Sequence, residues 1–98
     1  MPTPDQSFFD RADAHIQLSN EQTLEESAGK VSASMLFASA RFAAFITARG
    51  HDSSATMQTK RDEDIAYFVD EYRKMLADNL DDYIENFDDY MKAKSDEK

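Results

Sequence analysis

The chain has 98 residues, room for one domain. Twenty Asp and Glu against 11 Lys and Arg leave a net charge of −9. That excess opposes direct binding of nucleic acid or of an anionic membrane surface, both of which require a basic patch. The absence of Cys excludes disulfides, thiolate zinc sites and a cysteine nucleophile. A 41% share of hydrophobic residues is enough to fill one modest core. The N-terminal stretch MPTPDQSFFDRAD lacks a basic segment followed by an apolar one, so export is not expected.

No stretch alternates like a half-buried strand, and helical periodicity runs through most of the chain. The expected fold is all-α, a small bundle of three to four helices near 4–20, 30–49, 60–77 and 79–92. These form a single domain, 1–98. The first helix should open at Thr3, with Pro4 in its first turn and Gln6 completing a capping box. Its apolar side carries Phe8, Phe9, Ala12 and Ile16.

The segment 30–49 differs in kind, because Arg41 is its one charge between Val31 and Ala48. Val31, Met35, Phe42, Phe45 and Ile46 form a large-residue face, and Ala33, Leu36, Ala40, Ala43 and Ala44 a smaller one opposite. A helix apolar on both sides is normally buried between neighbours, so this segment is expected to be the central element. Its serines and Arg41 argue against a membrane span. Gly50 is expected to end the helix, and HDSSATMQT (51–59) to continue into a flexible linker spanning 50–59.

From Lys60 to Lys92 the chain is strongly amphipathic. Ile65, Phe68, Val69, Tyr72, Met75 and Leu76 make one stripe; Leu80, Tyr83, Ile84, Phe87, Tyr90 and Met91 make a second. A single helix of this span would be about 45–50 Å long, more than the diameter of a globule of this size. Either one continuous helix projects into a partner or the helix breaks near Asp78–Asn79; the break is the favoured expectation, with Asn79 as the new N-cap. The tail 93–98 should fray.

Three blocks, FFDRADAHIQLSNEQ, GKVSASMLFASARFAAF and YFVDEYRKMLADNLDDYIENFDDYM, together resemble a family of short bacterial proteins known as a domain of unknown function. The resemblance implies a cytoplasmic, all-helical bacterial protein and transfers no catalytic residue. The segment HDSSATMQT lies outside it.

The motifs of common chemistries are missing. Neither His15 nor His51 follows a Glu by three positions, as a bundled di-iron site needs, and no Ca²⁺ loop occurs. Gly29-Lys30 lacks the earlier glycine and the hydroxyl residue of a phosphate loop. No catalytic, metal or cofactor residue is assigned, which points away from an enzyme.

Arg41, with His15 and Ser34, marks a possible polar or anion-binding site. Asp10 and Asp13 are open as structural partners of Arg41. Tyr67, Tyr83, Phe87 and Tyr90 mark a possible interaction surface. The leading expectation is a cytoplasmic, non-enzymatic interaction module that forms a homodimer or meets another protein, with no nucleic acid or membrane as ligand. The alternatives are an enzyme or a binder of small anionic ligands near Arg41, and an acidic mimic that engages a basic, nucleic-acid-binding protein.

Overall fold

Capping side chains set where each helix of this all-α chain begins. The computed structural model describes residues 5–96, with side chains for residues 5–92. Four helices follow in order: α1 (Gln6–Gln22), α2 (Ala28–Arg49), α3 (Ser54–Glu85) and α4 (Phe87–Asp96). The described residues contain no strand. The chain divides into two units, one ending at His51 and the other beginning at Asp52.

In the first unit Asp5, not Thr3, is the N-cap of α1, since its carboxylate accepts the Phe8 amide at 2.9 Å. Thr3 and Pro4 lie outside the described residues. Ser27 caps α2 by accepting the Lys30 amide at 3.3 Å, so this helix starts at Ala28, before Gly29. The turn between them is tied by the Thr23 amide on the Ser19 carbonyl and the Glu26 amide on that of Gln22. α2 ends at Gly50, as expected, although this glycine stays right-handed (φ −83°) and does not use its special conformational freedom.

The main departure from expectation concerns burial. Val31, in the first turn of α2, is 6% exposed and is the one buried residue among those described. Phe42, at the middle of the large-residue face, is 66% exposed. α1 and α2 meet over few residues, so the hairpin supplies little cover for α2, and the expected close burial of that helix is not achieved within it.

In the second unit, the stretch expected as a linker is mostly helix. Ser53 caps α3 by accepting the Thr56 amide at 3.3 Å, and the Thr56 hydroxyl returns a bond to the Ser53 carbonyl at 3.0 Å. Thr56 donates both bonds to Ser53, and together they start the helix six residues before the expected position at Lys60. α3 then runs 32 residues, about 48 Å, without a break at Asn79. There the Asn79 amide donates to the Met75 carbonyl at 2.7 Å, a bond made along a continuing helix.

The break comes one heptad later, at Asn86 (φ −112°, ψ 26°). The two positions sit in near-identical surroundings, NLDDYIE and NFDDYMK, which is why patterning alone does not choose between them. The backbone of the expected frayed tail is helical to Asp96; residues 97 and 98 lie outside the described residues.

Gly29 lies in the first turn of α2, and a Cβ added there would meet no atom within 4 Å. Gly29→Ala should therefore raise the stability of the chain by about 0.5 kcal/mol, read from thermal or urea unfolding followed by circular dichroism. Ser53→Ala should cost about 1 kcal/mol in the same measurement, because it removes the cap of α3.

Candidate functional site

The second unit carries both an apolar face and a polar joint, and the two meet at the α3–α4 boundary. Ile65, Phe68, Tyr72 and Met75 recur along α3 at helical spacing and point to one side. Each of these side chains keeps more than a third of its surface exposed. Leu80, Tyr83 and Ile84 continue the face, and Phe87, 56% exposed, opens α4. Tyr67 lies off this stripe with its ring edge-on to Phe68, centroids 5.2 Å apart.

At the joint, Tyr83 and Tyr90 stack with centroids 4.2 Å apart and planes tilted by 34°. The Tyr90 hydroxyl donates to Asp82 Oδ2 at 2.7 Å. The Asn86 side-chain amide donates to Asp82 Oδ1 at 2.9 Å and to the Asp82 carbonyl at 3.1 Å. One oxygen of the Asp82 carboxylate thus binds the residue at the break and the other a residue beyond it, which ties α4 to the end of α3. Sequence reasoning did not single out Asn86, and it took Asp82 only as one acid of a solvated face. The available signal was the heptad echo, in which Asn is followed two and three positions later by Asp at both 79–82 and 86–89.

Of the predicted residues, the structure brings Tyr83 and Tyr90 together and leaves Phe87 and Tyr67 exposed. Arg41, Ser34 and His15 are exposed as well. Arg41 and Ser34, seven positions apart, share one face of α2. A depression of about 490 Å³ at the α1–α2 turn is lined by Gln22, Glu25, Glu26, Lys30, Val31 and Ser34; neither Arg41 nor His15 reaches it. Arg41 makes no ion pair with Asp10, Asp13 or any other carboxylate among the described residues. Exposure removes the need for a partner, since a solvated guanidinium carries no burial penalty.

No group of three or more His, Asp or Glu could hold a metal ion among the described residues. By length and mean hydropathy (1.4) α2 meets the criteria for a helix able to cross a membrane, with Arg41 inside the run.

Residues 8–84 match the family described as "Protein of unknown function (DUF3144)". The match spans most of the chain, so this protein belongs to that family. No curated protein matches it. The chain is similar to the solution NMR structure of the protein NB7890A from Shewanella sp., with 37% identity, a TM-score of 0.76, and coverage of 94% of this chain and 98% of that one. A family of unknown function and a solved all-helical relative establish the fold class but assign no activity.

The Asp82 carboxylate raises the Tyr90 phenol above the ordinary tyrosine value, chiefly by accepting its proton in a hydrogen bond. A folded-state value above the unfolded one means that the bond is fully present at neutral pH. Its contribution is lost as pH rises through the elevated value. An ultraviolet titration should show one late-ionising tyrosine. Asp82→Asn should shift that step down towards the ordinary tyrosine value, and Tyr90→Phe should abolish it.

Proposed function

We propose that this protein is a non-enzymatic helical interaction module that works by self-association, most simply as a homodimer. The carrying observation is the exposed apolar face of α3, which runs about 29 Å from Ile65 to Ile84. A single helix has no interior, so α3 can bury its stripe only against another surface. An exposed apolar row of this extent exceeds what soluble monomers usually tolerate and is characteristic of an interface. A second copy is the simplest source of a matching surface, because closed two-fold pairs are the commonest assemblies.

Arg41 and His15 stand apart from the depression at the α1–α2 turn that Ser34 lines, so the three side chains share no polar site there.

Light scattering across the micromolar range should give twice the 11.2 kDa mass of one chain. Tyr72→Asp, at the centre of the stripe, should shift the equilibrium towards monomer. A strictly monomeric wild-type chain at high micromolar concentration would overturn the reading.

A further inference from the structure

The charges that flank the exposed apolar faces are segregated in a way that names the partner of each. α2 carries Lys30, Arg41 and Arg49 and contains no Asp or Glu. Lys30 and Arg41 are eleven positions apart, so they line the same edge of its large-residue face. The stretch from Met75 to Met91 holds Asp78, Asp81, Asp82, Glu85, Asp88 and Asp89 and no Lys or Arg. Asp81 and Asp88, a heptad apart, border the apolar row of Leu80, Ile84 and Phe87. Arg41 and Arg49 form no ion pair among the described residues, and neither do these acids. One helix offers an apolar face with a cationic edge, and the other an apolar face with an anionic edge.

We propose that a second copy of this chain occupies both faces reciprocally. α2 of each copy lies along the acidic stripe 75–91 of the other, with Arg41 set against Asp81 and Asp88. This rests on the self-association reading and specifies its surfaces.

The area is adequate as well. Met35, Phe42, Phe45 and Ile46 on α2, facing Leu80, Tyr83, Ile84 and Phe87, are all more than a third exposed. Burying them twice across a two-fold axis removes on the order of 1,400 Å² from water, the size of a standard specific interface.

Two charge-reversed chains test this. Arg41→Glu in one chain, and Asp81→Lys with Asp88→Lys in another, should each raise the dimer dissociation constant about tenfold or more by placing like charges together. Mixed in equal amounts, the two chains should form a heterodimer with near wild-type affinity. The introduced glutamate of one chain then faces the introduced lysines of the other, while the unaltered Arg41 of the second meets the unaltered Asp81 and Asp88 of the first. Sedimentation velocity at matched ionic strength reads all three samples, and circular dichroism reports helicity.

Failure of the mixture to recover affinity overturns the proposal, whatever the separate variants do. If both variants stay dimeric with unchanged affinity, self-association stands and this choice of surfaces falls. A monomeric wild-type chain removes both.

Discussion

An amphipathic helix separates apolar from polar residues, yet it has no inside. Everything characteristic of this chain follows from that limit applied to α3, whose stripe from Ile65 to Ile84 extends about 29 Å with no means of hiding itself. In most small domains, short helices fold back on one another until their stripes meet. Here the apolar side chains are numerous, and Val31 is the one residue the described structure buries. The hydrophobic free energy available to the sequence is therefore largely unrealised within the hairpin or the long helix taken separately. Burying a Phe or Leu side chain is worth roughly 1.5–3 kcal/mol, so a few such contacts with another surface would outweigh any cap or ion pair seen along these helices.

The polar interactions have a different role. The ion pairs are local and exposed, such as Lys74 with Asp70 at 3.1 Å, and interactions of this kind contribute little to stability. Lys74 holds the Asp70 carboxyl below the ordinary aspartate value, with Arg73 adding to the effect. What these bonds do is set geometry. Asp5, Ser27 and Ser53 decide where helices begin, and Asp82 decides how α4 departs from α3.

Which parts were legible in the sequence follows from the range of each interaction. Periodicity identified the helices because facing a core or a partner demands the same 3.6-residue repeat. It placed the start of α3 too late because Ser53 and Thr56 act locally, ahead of the first apolar residue of the stripe. It misplaced the break because Asn79 and Asn86 offer the same local chemistry. The structure separates them by the long side-chain bond from Tyr90 back to Asp82, a contact across eight residues. Burial was the least legible property. The pattern of α2 marks its faces as apolar, but a pattern is silent on which surface covers them, and it left two outcomes open for Arg41, snorkelling to water or meeting a carboxylate; Arg41 is solvated and makes no ion pair among the described residues.

The joint at Asn86 bears directly on how the apolar row can be used. In an uninterrupted helix, Leu80 and Phe87, Tyr83 and Tyr90, and Ile84 and Met91 would each be related by seven residues, drifting about 20° per heptad around the axis. A straight partner helix would lose such a row as it turned away. The break falls between the two copies of the heptad, at Asn86. The Tyr83–Tyr90 stack and the bonds to Asp82 tie the second copy to the first across it. Placing Asp82 under the Tyr90 hydroxyl serves geometry, and the carboxylate it occupies is correspondingly withdrawn from the acidic edge that Asp81 and Asp88 present.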